Sequence, residues 1–297
     1  MIKLLIGGSP CTYWSVARIN GRETKADGLG WELFKNYLIA KEKFEPDLFL
    51  YENNKSASQE IKAQISLELG APLQYINSAL VSAQTRQRFY VHNFGSVPQP
   101  PDRGISFQDI KETDYAELEK YKVPRTPSRE RMWNDGHDCT VPHSCKNITE
   151  AIKTNCLTTK QDRSSNTGLV QFEDFCRYIT VKEACRLQTM PDDYCRVATV
   201  EQAYKALGNG WTAEVIIHLL SYALAAVPKD EEIVVLSMYD GIGTGRYYLD
   251  KLGYKNIKYY AYEIDKSAIA IAESNYADII QCGDAFDLRR QDWSLEL

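Results

Sequence analysis

The 297-residue chain is 44% hydrophobic, enough for one large α/β domain with a smaller insert and a sizeable core. Its net charge of -5 excludes a protein that is basic over its whole surface, and its longest apolar runs fall well short of the ~18 residues a membrane-spanning helix needs. Eight cysteines without the dense, regular spacing of a disulfide scaffold fit a reducing, cytoplasmic setting.

Lys3 to Ile6 is a short, continuous apolar run that stops at Gly7-Gly8-Ser9-Pro10-Cys11. It reads as a buried parallel strand feeding a small-residue turn that presents one cysteine. A thiolate held in such a turn is suited to covalent catalysis, although for a lone cysteine at a strand end inert packing is the favoured reading until partners elsewhere in the chain are considered. Thr12 to Gly30 is polar and lacks periodicity, which predicts a long mobile loop. Leu33, Phe34, Tyr37 and Leu38 mark a helix, and a second apolar strand after Pro46 ends in Tyr51-Glu52-Asn53-Asn54. Ser56 to Leu69 reads as a helix with Ser56 as its cap; strands are expected over Leu73 to Leu80 and Arg88 to Phe94, the latter introduced by Gln84-Thr85-Arg86-Gln87-Arg88.

From Gly95 the texture turns proline-rich, polar and weakly periodic, which marks a small separate domain over residues 95–196 between catalytic (1–94) and cofactor-binding (197–297) portions of a larger one. Tyr121 to Arg131, with Arg125 and Arg129, is its most basic stretch, and Asn155 to Val170 is dense in hydroxyl and amide groups with Lys160 and Arg163. His137, Cys139, His143 and Cys145 form two His-x-Cys pairs that could serve zinc, but in a spacing tied to no known structural site; no bound metal is expected. Arg177 to Tyr194 reads as a helix opened by the Thr180/Glu183 capping pair and closed by Pro191. Ala203 to Tyr222 joins a Gly208-Asn209-Gly210 turn to an amphipathic helix.

The last third reads as strand, glycine turn, helix: Ile233 to Met238, then Tyr239-Asp240-Gly241-Ile242-Gly243-Thr244-Gly245. About twenty residues on, a strand ends in Glu263-Ile264, placed for ribose hydroxyls, and a third ends at Gly283-Asp284-Ala285. The turn departs from the GxGxxG of dinucleotide sites, so an S-adenosylmethionine site accounts for it better.

The strings GGSPC, YENN and QTRQR, in this order, resemble the catalytic motifs of the DNA (cytosine-5) methyltransferases, of bacterial or phage type with some likeness to the animal de novo enzymes. The resemblance implies an S-adenosylmethionine-dependent enzyme with a doubly wound, Rossmann-like α/β sheet and an inserted target-recognition domain. It implies Cys11 as nucleophile and Glu52 as the acid at ring nitrogen 3. Arg88 would hold the cytosine carbonyl, and Arg86 would organise the pocket and a nearby phosphate. Tyr239, Asp240, Gly241, Ile242, Gly243, Glu263, Ile264, Asp284 and Ala285 would bind the cofactor, with Asn209 near the active site. Ala17 and Arg18 would lie on the loop that closes over DNA. The implied partner is double-stranded DNA, with no membrane and no obligate protein partner. An RNA cytosine methyltransferase and a catalytically inactive homologue are the alternatives. Members of this family begin with the cofactor motifs, which here come last, so the chain is expected to be a circular permutant with neighbouring termini and a fused junction near Ala226 to Asp230.

Overall fold

The computed structural model describes residues 1–18, 20–127, 130, 147–161, 167–172 and 175–295. Among them are nine strands: β1 (Ile2–Gly7), β2 (Leu48–Asn54), β3 (Leu73–Asn77), β4 (Gln87–His92), β5 (Val170–Phe172), β6 (Phe175–Arg177), β7 (Ile233–Met238), β8 (Ile257–Tyr262) and β9 (Ile279–Gly283). Seven of these form one sheet in the order β3-β4-β2-β1-β7-β8-β9. β1 runs parallel to both β2 and β7, β8 and β9 continue parallel beyond β7, and β4 is antiparallel to β2.

The apolar runs of β1 and β7 become central strands because both their faces are covered. Leu5, Phe49, Tyr51, Phe89 and Leu236 point to one face, where Trp31, Phe34 and Tyr37 of helix Gly28–Phe44 and Ile61, Ile65 and Leu69 of helix Gln59–Leu69 pack on them. Each such fully buried side chain contributes roughly 1.5–3 kcal/mol. Ile6 and Tyr259 point to the other face, against helix Thr244–Lys251. The approach there is close: a Cβ on Gly245 would sit 2.3 Å from Ile6 Cδ1 and from the Tyr259 hydroxyl. The sheet is thus doubly wound, as the sequence implies.

Local chemistry sets the helix limits. Glu45 takes a left-handed φ of 48° just before Pro46, which stops the first helix. The second is capped by Ser58, whose side chain accepts from Ile61 N at 3.2 Å, and not by the expected Ser56. Ser56 is used earlier, where its amide donates to Asn54 Oδ1 at 2.7 Å in the turn leaving β2. β3 ends at Asn77, which caps a 3-10 turn over Ser78–Leu80, so the predicted strand is three residues too long.

The chain groups into two compact units, one of Met1–Ile76, Gln87–Gln99 and Ile216–Leu297, which holds the large sheet, the other of Asn77–Arg86 and Pro100–Val215. The second unit therefore takes in residues 77–86 and 197–215 as well as most of the stretch marked out by its composition. It contains the β5–β6 hairpin, in which Val170 faces Arg177, and a small core of Leu118, Val123, Leu169, Phe175 and Cys176. Arg177 and Glu183, both fully buried, pair at 2.8 Å, and Glu183 completes the expected capping box with Thr180. That helix spans only Val181–Leu187. It stops short of Pro191 because the Gln188 side chain turns to Leu207 O and Thr189 is left-handed at φ 56°. Among the described residues no helix is long and apolar enough to cross a membrane.

Candidate active site

The strand order changes direction between β1 and β7: later strands are added outward from β7 on one side and from β1 on the other. Gly7 is in register with Met238, so the turn ending at Cys11 and the turn beginning at Tyr239 leave the sheet side by side. Ligands of open α/β sheets bind at the carboxyl ends of strands at such a switch point.

On the β1 side, Cys11 opens a one-turn 3-10 helix whose Trp14 and Ser15 amides donate to its carbonyl at 3.1 and 3.0 Å. The thiol is half-buried and in no disulfide. Three residues earlier the backbone touches β2: a Cβ on Gly8 would lie 2.5 Å from the Glu52 carbonyl oxygen and 3.2 Å from its Oε2. Only glycine permits that approach, which sets the Glu52 carboxylate against the turn that leads to Cys11. Arg88 sits opposite Asn54 across β2 and β4, diagonal to Glu52 on the same face, and its Nε meets Glu52 Oε1 at 2.9 Å. Both are largely buried. The Glu52 carboxylate, the Arg88 guanidinium and the turn carrying Cys11 are therefore brought together.

The other face of the same strand carries residues that sequence reasoning passed over. The Tyr51 and Ser9 hydroxyls share a 2.7 Å hydrogen bond, and Asn53 Nδ2 donates to Ser9 O at 2.9 Å and to the Tyr51 hydroxyl at 3.0 Å. Burial pushes the Tyr51 phenol well above its usual range, so it stays protonated. The signal was a run of three polar side chains closing an apolar strand; only the pairing with β1 reveals their partner.

The segment after Cys11 is shorter and better anchored than expected, since the helix begins at Gly28. Trp14 is fully buried and donates through Nε1 to Glu23 Oε2 at 3.2 Å, while Gly30 N donates to the same oxygen at 3.1 Å. Arg22 bonds Trp14 O at 3.1 Å and also Ser56 O. One tryptophan supplies burial that the polar composition hid. Val16 (64% exposed), Ala17 and Arg18 form its outward tip.

On the β7 side, Tyr239 holds a left-handed φ of 59°, a cost of about 1–2 kcal/mol for a non-glycine residue. Its hydroxyl donates to Leu33 O at 2.7 Å and accepts from Asn36 Nδ2 at 3.2 Å. Gly241 and Gly243 follow at φ 68° and 73°. Glu263, at the end of β8, accepts from Gly241 N at 2.9 Å through Oε2 and from Ile264 N and Asp265 N, both at 2.8 Å, through Oε1. A carboxylate has about four acceptor positions, so one remains for a ligand hydroxyl. Asp240 is half-buried; its Oδ1 accepts from the Ser237 and Tyr259 hydroxyls, each at 2.6 Å, and its Oδ2 atom is buried with no hydrogen-bond partner. Desolvation first, with the nearby Glu263 charge adding to it, raises the Asp240 carboxyl above its ordinary value. Asp284 Oδ1 accepts from Phe286 N at 2.9 Å and caps the turn containing buried Ala285. Ile264, 69% exposed, and Phe286, 38% exposed, offer apolar surface next to Glu263 and Asp284 in the sequence. Ile242, by contrast, is buried and serves packing.

Two expected site residues belong to the second unit. The Arg86 guanidinium is buried, with Nη1 on Leu157 O at 3.0 Å and Cys156 Sγ at 3.1 Å and Nη2 on Gly208 O at 3.1 Å and Gly210 O at 2.7 Å. It fixes the carboxyl end of helix Val200–Asn209, whose last residue, Asn209, is exposed; the turn expected over Gly208-Asn209-Gly210 is thus the end of a helix, with Gly210 as its cap. With both terminal nitrogens committed to protein acceptors, the guanidinium does not offer them to a phosphate. Gln84 and Gln188 extend the same knot: Gln84 Nε2 reaches Leu187 O at 2.6 Å, and Gln188 Oε1 accepts from Thr212 Oγ1 at 3.0 Å. Arg125, exposed, pairs with Glu130 at 3.0 Å. Arg129, Arg163, His137, Cys139, His143 and Cys145 lie outside the described residues, and among the described ones no group of three or more metal-binding side chains occurs.

A doubly wound sheet with a cysteine turn and a glycine turn side by side at its switch point, and with acceptors suited to a nucleoside, defines the class of Rossmann-like group-transfer enzymes. Within that class the chain belongs to the C-5 cytosine-specific DNA methylase family, whose model matches residues 1–69 and 76–222. It is 26% identical over 260 residues to the type II methyltransferase M1.ScrFI of Lactococcus lactis subsp. cremoris, covering 77% of this chain and 64% of that protein, so it spans less than two thirds of this relative's length. Among solved structures, a Spodoptera frugiperda DNMT2 triple mutant shares the fold at a TM-score of 0.51, with 20% identity over 74% of this chain and 78% of that one. The S. pombe Dnmt2 methyltransferase aligns at a TM-score of 0.47, with 19% identity over 61% and 67% of the two chains.

Proposed function

We propose that this protein methylates carbon 5 of cytosine in double-stranded DNA, using S-adenosylmethionine. The observation that carries the reading is the Cys11 turn set against the Glu52–Arg88 pair at the switch point of a cytosine-methylase sheet. Cytosine carbon 5 is a weak nucleophile. Addition of the Cys11 thiolate to ring carbon 6, with Glu52 stabilising a proton at ring nitrogen 3, converts the ring into an enamine that is nucleophilic at carbon 5. Arg88 orients the Glu52 carboxylate and lies close enough to it to meet the adjacent ring carbonyl. Loss of the carbon 5 proton and expulsion of Cys11 restore aromaticity. The reacting edge is stacked inside a duplex, so the base must be extruded to reach Cys11.

S-adenosylmethionine, when bound, supplies an electrophilic methyl group. The residues present fit it. Glu263 keeps an acceptor position for ribose hydroxyls, Asp284 and the apolar Ile264 and Phe286 suit an adenine, and the Asp240 turn has a buried oxygen without a partner. The second unit, with the Arg86-supported helix end at Asn209, is assigned target recognition.

The carboxyl-terminal elements are assigned the place of the family's opening ones, making the chain a circular permutant. Residues 223–297 lie outside the family match yet supply β7, β8 and β9 of the same sheet. The Met1 ammonium pairs with Glu231 just before β7, Lys3 Nζ reaches Phe44 O at 3.1 Å, and the adjoining Lys43 reaches Arg290 O at 2.6 Å. These contacts support neighbouring chain ends. The type II relative supports a role in restriction-modification within a bacterial or phage-infected cytoplasm. Expression in cells lacking cytosine methylation, followed by conversion sequencing of their genome, should reveal methylated cytosines within one short sequence context. A genome with no methylated cytosine would refute the reading.

A further inference from the structure

We infer that Tyr51 and Ser9 form a positioning clamp for the nucleophile, so that one strand, β2, sets both the acid and the thiolate; this inference rests on the cytosine-methyltransferase reading above. Tyr51 is fully buried, and its ring is held edge-on by Phe34 and Tyr37, with centroids 5.2 and 5.0 Å away. Its hydroxyl is therefore a fixed point. Asn53 Nδ2 spends its two protons on Ser9 O and the Tyr51 hydroxyl, and its Oδ1 accepts from Asn54 N at 2.8 Å, which locks the amide orientation.

Ser9 is consequently gripped twice, by its side chain at 2.7 Å and by its carbonyl at 2.9 Å. That carbonyl belongs to the Ser9–Pro10 peptide, whose plane is rigid, and the ring of Pro10 holds the next φ at -50°. The main-chain torsions left to place the Cys11 sulfur are Pro10 ψ and those of Cys11 itself. Glu52, between Tyr51 and Asn53, projects to the opposite face of β2 and meets Arg88. A shift of β2 would carry acid and nucleophile together, preserving their separation. Hydrogen-bonding capacity buried this deeply has a cost if left unmade: removing either hydroxyl leaves the other with Asn53 Nδ2 as its remaining partner, at 3.0 Å from the Tyr51 hydroxyl or 3.3 Å from Ser9 Oγ, and removes the side-chain half of the grip on the turn.

The test uses Tyr51→Phe, Ser9→Ala, their double variant and Ser9→Thr in the full-length protein, comparing single-turnover methylation of a cytosine duplex with hydrogen exchange of the 9–13 amides. Tyr51→Phe and Ser9→Ala should each slow the single-turnover rate by about 10²-fold, the loss expected for a nucleophile displaced by about 1 Å, while duplex and cofactor Kd stay within about twofold. Exchange at residues 9–13 should rise with no change along β7 and β8. The double variant should be no slower than the worse single one, since both break one bond, and Ser9→Thr should restore most of the rate. A wild-type rate in Tyr51→Phe, or a loss that appears wholly in the two Kd values, overturns the clamp. A wild-type protein that methylates no duplex overturns the functional reading, whereas unchanged exchange at 9–13 in Tyr51→Phe overturns the clamp alone.

Discussion

Two turns leave the same end of the sheet from neighbouring strands and hold their shapes by opposite means. At the end of β1 the polar groups of Ser9, Tyr51 and Asn53 are spent on one another. At the end of β7, Tyr239 sits in left-handed backbone, Asp240 keeps a buried oxygen unmatched and Glu263 retains acceptor capacity. Under the proposed function, the contrast follows from what each turn does. A nucleophile gains from a fixed position before its substrate arrives, whereas a turn that binds a ligand needs hydrogen-bonding capacity that the fold has not consumed.

Substitutions can break that contrast in a definite order of size. Cys11→Ser should lower methylation by about 10⁴-fold or more, with S-adenosylmethionine affinity by calorimetry unchanged, because only the covalent step is lost. Glu52→Gln keeps the shape but not the proton chemistry, and should reduce kcat by about 10²–10⁴-fold in a steady-state assay at constant KM for DNA. Glu263→Ala acts on the other turn. It should weaken cofactor binding by roughly 10–100-fold, about 1.5–3 kcal/mol, and leave cofactor-free DNA binding intact.

The smallest effect sharpens the contrast, because it improves stability. Burial raises the Asp240 carboxyl in the folded protein, so its contribution to stability is full below the unfolded value of 3.8 and is lost as pH rises through the folded one. At neutral pH the buried charge is a cost. Asp240→Asn should therefore raise stability by about 1 kcal/mol at pH 7–8 in thermal melts, with the advantage shrinking toward pH 4, while cofactor affinity falls. A variant less stable at pH 8 than at pH 5, relative to the parent, would contradict this placement of Asp240.

Much of this arrangement is legible in the residues themselves. β1, β2 and β7 announce themselves as short apolar runs ending in chemistry-bearing residues, and the Gly8 contact explains why GGSPC needs its second glycine. What local pattern does not carry is partnership across distant sequence. Arg86 and Arg88 look equivalent in QTRQR, yet Arg88 meets Glu52 whereas Arg86 is buried among carbonyls 71 to 124 residues away. Ser56 and Ser58 are equally good caps by composition, and only the course of the turn after Asn54 selects Ser58. The segment after Cys11 reads as mobile until Trp14 is seen to be buried and tied to Glu23.

The central claim is that Cys11 attacks a flipped cytosine, and the most direct measurement maps the covalent bond. A duplex carrying 5-fluorocytosine at the target site lacks the proton whose loss completes turnover, so with S-adenosylmethionine present the enzyme should remain attached to its DNA. Proteolysis and mass spectrometry should then place the modified base on the peptide containing Cys11, with no adduct in Cys11→Ser. An adduct on another residue, or one that persists in Cys11→Ser, would contradict the account.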